Sequence, residues 1–154
     1  MSIFLYKNRR ENGYSYIWFL ILLVFISIFI SNNILVYSKI KKTEAEQELF
    51  RIAIAYCKAI NMFYTNPPDG VLTYPAEINF LLKDPRYTKD VRYLRNLFLD
   101  PITNKDFIYI YNKNKEIVGF YSSSQSQIIR KKLPDQFYYL NGAKKYSDLK
   151  FCLY

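Results

Sequence analysis

The chain has 154 residues, with 22 Lys and Arg against 13 Asp and Glu, a net charge of +9, and no histidine. That length holds one modest domain beside a membrane segment, and the lack of histidine removes the commonest general base and the commonest metal ligand. The positive balance raises phosphate binding as a reading, but the cations concentrate only at Lys39–Lys42 and Arg130–Lys132, which argues against nucleic acid as a partner.

Residues 1–13 form a short basic leader with Lys7, Arg9 and Arg10 against Glu11. From Asn12 to Ser38 no residue is charged, and Tyr16 to Ile30 is almost unbroken hydrocarbon; Ser31, Asn32 and Asn33 interrupt it before Ile34 to Tyr37 resume it. A helix needs roughly 20 apolar residues to cross a bilayer, so the pattern predicts a transmembrane helix half over 14–38. A cleaved secretory signal fits less well, since no small-x-small site follows the run, and no cysteine follows it to suggest a lipoprotein. Lys39, Lys41 and Lys42 oppose the leader cations, so charge alone orients the segment weakly.

Residues 39–66 predict an amphipathic helix half. Ala45, Leu49, Ile52, Ala53, Tyr56, Ile60 and Phe63 recur at helical spacing, while Glu44, Glu46, Glu48, Arg51 and Lys58 are spread over the remaining surface. No proline or glycine occurs between Tyr14 and Pro67, so one continuous helix is expected, with a break near Ser31–Ser38 as the alternative. Asn66-Pro-Pro-Asp-Gly70 ends it by removing amide donors and permitting a turn.

Residues 67–154 predict an α+β head. Pro75 suits the first position of a short helix reaching Asp84. Asp84-Pro85 and Asp100-Pro101 read as turns. Phe107–Tyr111 and Ile117–Tyr121 flank a polar tip and predict a β-hairpin, and Leu149–Tyr154 predicts a last strand added to the sheet. Cys57 and Cys152 make no metal spacing. In an oxidising compartment they could pair if the last strand lies against the helix; otherwise they are two small apolar residues.

No constellation of catalytic residues stands out, and no cofactor is expected. Asp84, Asp100, Asp106 and Asp148 sit in turn contexts where Asp bonds its own backbone, the serines at 122–124 lack a histidine base, and Glu116, Asp135 and Asp148 are too few for a calcium cage or any other metal site.

The leader Arg9-Arg-Glu-Asn-Gly13, then Tyr14-Ser-Tyr-Ile-Trp18 and an apolar run, resembles the class III signal of type IV pilins and type II secretion pseudopilins. The Glu-rich helix from Glu44, Tyr74-Pro75 with its leucine-rich continuation, and the loop to Asp100-Pro101 are similar to the major pseudopilin type. The resemblance implies a pilin-like fold: a long N-terminal helix, transmembrane in its first half, packed on a small antiparallel sheet through Leu49, Ile52, Tyr56, Ile60 and Phe63. It implies cleavage between Gly13 and Tyr14 by a prepilin peptidase. It also implies a single-pass inner-membrane position with a periplasmic head, and a non-catalytic role in a filament with the bilayer, other pseudopilins or secretion-system membrane components as partners. Trp18 departs from the pattern, because the family usually has glutamate there. That departure keeps open a signal-anchored periplasmic module outside any filament, and the net charge of +9 keeps open a DNA-binding minor pilin.

Overall fold

A computed structural model describes residues 14–130 and 132–153, with the side chains of 31–35 outside that description. The expected processing residue Gly13 and the last residue of the expected final strand, Tyr154, lie outside the described residues. The chain divides into two compact units, Met1–Ile40 and Lys41–Tyr154. The architecture is α+β: one long helix and a three-stranded antiparallel sheet.

Helix α1 runs Tyr14–Thr65 without interruption, as the absence of proline and glycine over that span allows. It ends where Pro67 and Pro68 remove two amide donors, and its last carbonyls are taken up locally. The Asn66 side-chain nitrogen donates to the Met62 carbonyl at 3.0 Å and the Thr65 hydroxyl to that of Asn61 at 2.9 Å. The second unit begins at Lys41, so the amphipathic part of the helix and the head form one body rather than two.

In that body β1 (Ile108–Tyr111) and β2 (Ile117–Tyr121) make a hairpin, with a register shift between Ile110 and Tyr111. Lys115 adopts a left-handed φ of 61° in its tip, and the Asn112 side-chain oxygen accepts from the amides of Asn114 and Glu116, both at 2.9 Å. Strand β3 is short, Phe151–Cys152, and pairs antiparallel with β2. The expected strand from Leu149 is cut down at both ends. A 3-10 turn at Tyr146–Asp148 leads straight into Leu149, and Cys152 and Leu153 take left-handed φ values of 74° and 55°, which end the pleat. The expected short helix after Pro75 is also reduced, to one 3-10 turn at Ile78–Leu81. Pro75 is not its first residue. It is buried in extended chain, and its carbonyl accepts the amide of Ile117 at 2.8 Å.

The core lies between α1 and the sheet. Leu49, Ile52, Tyr56, Ile60 and Phe63 are all buried. Tyr56 meets Phe120 at a ring separation of 5.2 Å and Phe107 at 6.0 Å, and Phe50 meets Phe151 edge-on at 6.0 Å. Such tilted and edge-to-face pairs add to plain burial of ring area. A disulfide between Cys57 and Cys152 ties α1 to β3 across 95 residues of sequence.

Gly119 marks the tightest approach in the sheet, since a Cβ there would stand 2.5 Å from the Phe151 carbonyl oxygen. Gly119→Ala is therefore expected to push β3 off β2 and lower stability by about 1–3 kcal/mol. Urea unfolding of the full chain in detergent micelles, followed by far-ultraviolet circular dichroism, checks this, and an unchanged midpoint refutes it.

Candidate functional site

Two surfaces of different character could serve function, and each belongs to its own unit. In the first, every described side chain from Tyr14 to Ile30 is exposed, although nearly all are large and apolar. Ser27 donates its hydroxyl to the Leu23 carbonyl at 2.8 Å, so this polar group is satisfied within the helix. Trp18 is 72 % exposed and Tyr14 opens the helix, also exposed. Val36, Tyr37 and Ile40 are exposed as well. Among the described residues no helix is long and apolar enough to cross a membrane; the described apolar run stops at Ile30, and the expected span of 14–38 includes the side chains of 31–35 that lie outside the description.

In the second unit the buried polar groups organise loops. Glu46 is a correction to the sequence reading, which spread it with the surface charges: it is fully buried at 0 % exposure. Its carboxylate accepts the backbone amides of Ile129 and Arg130, each at 3.2 Å, and the Tyr146 hydroxyl at 3.1 Å. Burial first, and then the neighbouring Glu46 charge and hydrogen bond, push the Tyr146 phenol up to about 12. Residue 46 lies three before Leu49 and seven before Ala53, so its phase on the buried stripe was present in the sequence.

Asp84 and Asp100 are buried, and both precede a proline. Each Oδ1 accepts the amide two residues on, Arg86 at 3.0 Å and Ile102 at 2.9 Å, which closes an Asx turn. Asp100 also accepts the Thr103 hydroxyl at 2.8 Å and the Ser122 hydroxyl at 2.6 Å. The Ser122 bond pins the end of the hairpin to the Asp100 turn. Asp84 is engaged by Arg86, whose Nη2 donates to Asp84 Oδ2 at 2.7 Å and to the Phe63 carbonyl at 2.8 Å. The guanidinium lies 3.6 Å from the Phe63 ring centroid, so one arginine caps the end of α1, covers an aromatic of its buried face and neutralises a buried acid. Sequence reading missed Arg86; only its position directly after Asp84-Pro85 hinted at it.

Of the residues singled out from sequence, Leu49, Ile52, Tyr56, Ile60 and Phe63 come together in one core, and Cys57 joins Cys152. Tyr14 and Trp18 stand apart from that core in the first unit, and Gly13 lies outside the described residues. Among the described residues no cluster of acids and cysteines could hold a metal ion. No family model, curated protein or solved structure matches the chain.

Two outcomes are expected. Glu46→Ala leaves two part-buried amides without their carboxylate acceptor and should lower stability by about 1–3 kcal/mol, with faster amide exchange at Ile129 and Arg130 by hydrogen–deuterium exchange. Exchange unchanged at those two positions would sink the clamp. The second concerns acid. Burial raises the Asp84 pKa, but the Arg86 side chain, the Arg86 amide and the Tyr93 hydroxyl together outweigh it and hold the carboxyl below its ordinary value. A folded-state pKa held down means stability that is present above the ordinary carboxylate range and lost as pH falls through the depressed value. Asp84→Asn should therefore be less stable at neutral pH and show a flatter loss of stability on acidification, read from unfolding midpoints along a pH series.

Proposed function

We propose that the chain is a pseudopilin-like subunit of a type II secretion or type IV pilus-like assembly, anchored by 14–38 in a bacterial inner membrane and acting by packing rather than by catalysis. The observation that carries this reading is the uniform exposure of the apolar side chains from Tyr16 to Ile30. A monomer in water rarely leaves so large an apolar surface uncovered, whereas lipid or neighbouring helices cover it at no penalty. The sequence resumes its apolar run at Ile34–Tyr37, and at ~1.5 Å per residue the segment 16–37 would measure about 32 Å, close to the hydrocarbon thickness of a bilayer.

The disulfide supports the side on which the head works. A Cys57–Cys152 disulfide persists most readily in an oxidising compartment, which supports a head outside the cytoplasm with the leader inside. That agrees with the cations Lys7, Arg9 and Arg10 and outweighs the opposing lysines at 39, 41 and 42. The small sheet on the second half of a long helix is the layout the sequence resemblance implies.

Trp18 favours a second reading. With an aromatic residue where the family usually has glutamate, the segment carries no acid to meet a neighbour's N-terminal amine, as suits a signal-anchored periplasmic module outside a filament.

The two readings part at the N-terminus. Membranes are washed with alkaline carbonate, the retained protein is extracted, and its intact mass and N-terminal residue are determined. The assembly reading expects retention in the membrane and a chain starting at N-methylated Tyr14. An intact leader ending in Gly13 supports the anchored module, and release by carbonate defeats both.

A further inference from the structure

Beside the disulfide the second unit has a cleft of about 280 Å³, lined by both Cys57 and Cys152 together with Ile54, Gln136, Phe137 and Tyr139. That is below the roughly 300–1,000 Å³ of sites for whole small molecules, and it gives room for a side chain or two. Both cysteines are half-buried rather than enclosed in the core. Ile54 and Tyr139 on the lining are 38 % and 49 % exposed, so the cleft opens to solvent. Access is one condition for a disulfide to exchange with an outside thiol, and here the two bonded residues line the same open cleft.

The surroundings decide what breaking the bond releases. Phe151, one residue before Cys152, is fully buried and meets Phe50, Phe120 and Phe137 at ring separations of 6.0, 5.4 and 5.1 Å. Those contacts hold the first residue of β3 without help from sulfur. Beyond it Cys152 and Leu153 take left-handed φ values of 74° and 55°, which residues with a side chain keep only where neighbours hold them. The disulfide restrains them from one side and backbone pairing with Val118 and Gly119 from the other, the Leu153 amide donating to the Val118 carbonyl at 2.9 Å. Without the bond, that short pairing must hold two unfavourable conformations.

We propose that Cys57–Cys152 is a thiol–disulfide exchange site that admits the thiolate of a Cys-x-x-Cys dithiol protein through this cleft, and that its reduction frees residues 152–153 from β2 while the core stays folded. The incoming thiolate attacks the Cys152 sulfur. The bond to Cys57 breaks, its electron pair stays on the Cys57 sulfur, and that thiolate takes a proton from water. The partner's second thiol gives its proton to water and attacks the partner's own sulfur in the mixed disulfide, and Cys152 leaves as a thiolate that is protonated in turn. Two electrons and two protons have then passed to this chain, and the partner holds the new disulfide. Attack falls on Cys152 because its segment relaxes outward once released, whereas Cys57 is fixed within α1. The step is independent of the membrane segment.

For the test, the full chain in detergent micelles is reduced with dithiothreitol or with a thioredoxin-type dithiol protein, and its thiols are counted by alkylation and mass. Native reduction by dithiothreitol should run within about tenfold of the rate in denaturing urea and stay flat as urea rises below the unfolding transition. The dithiol protein should reduce the native chain at least as fast, mole for mole. Gln136→Trp, which sets a large ring at the cleft, should slow the native rate about tenfold and leave the denatured rate unchanged; a misfolded variant would react faster, not slower. With the dithiol protein's second cysteine replaced by serine, the trapped mixed disulfide should lie on Cys152. In the reduced chain, amide exchange should quicken at Leu153 and far less at Ile117, whose amide is bonded to the Pro75 carbonyl. A native rate about a thousandfold or more below the denatured one, no reduction by the dithiol protein, an unchanged rate in Gln136→Trp, an adduct on Cys57 alone, or equal quickening at Ile117 and Leu153 each overturn the proposal.

Discussion

The head exists because one face of α1 is buried against a sheet too small to stand alone. Two of its strands are four and five residues long and the third is two, and so slight a sheet is marginal in water without a partner layer. Tyr56 supplies the meeting point. Its ring touches Phe98, Phe107 and Phe120, while its hydroxyl accepts the Phe98 amide at 3.0 Å and donates to the Phe98 carbonyl at 3.3 Å. One side chain thus joins helix, hairpin and the preceding loop, and does so with its polar atom satisfied. The disulfide restrains the same junction from the far side of β2 and limits the unfolded chain most effectively because it closes so long a loop.

Around that junction the buried acids act as loop organisers. Glu46 gathers the segment at 129–130, Asp84 the turn that carries Arg86, and Asp100 the turn that meets Ser122. Much of the second unit is irregular chain, which must bond its backbone to something, and a carboxylate that accepts several donors does this more economically than a strand that is not there. The buried carboxylates are saturated, and among the described residues no buried side-chain polar atom lacks a partner.

The helix and the hairpin were legible in the sequence because each has a period and a stop: helical spacing ended by Pro67, and alternation turned at Asn112–Glu116. The stripe from Leu49 to Phe63 was readable for the same reason. What escaped was set by tertiary contact. Glu46 shares the phase of the stripe, but its charge argued for the surface, and only the backbone amides of a loop more than 80 positions away reverse that. Pro75 looked like a helix start because proline suits that position; its carbonyl is instead claimed by Ile117. Leu149–Tyr154 reads as one strand, and the left-handed Cys152 and Leu153 show why so little of it pairs.

Lateral association of the membrane half has a further constraint on the proposed reading. In lipid, helices gain nothing from hydrophobicity against one another and associate by close packing of small residues or by shared polar groups. Residues 14–38 contain no glycine and no alanine, and no charged residue; their small side chains are the serines at 15, 27, 31 and 38. Phe, Leu and Ile around the rest hold neighbouring backbones apart. Specificity for a neighbour in the bilayer then rests on those serines and on Asn32 and Asn33 alone, and the larger share falls to the head, where the charges and the ordered loops are. A subunit built this way would be held in register from its surface inward, the reverse of one registered by a buried glutamate in its membrane helix.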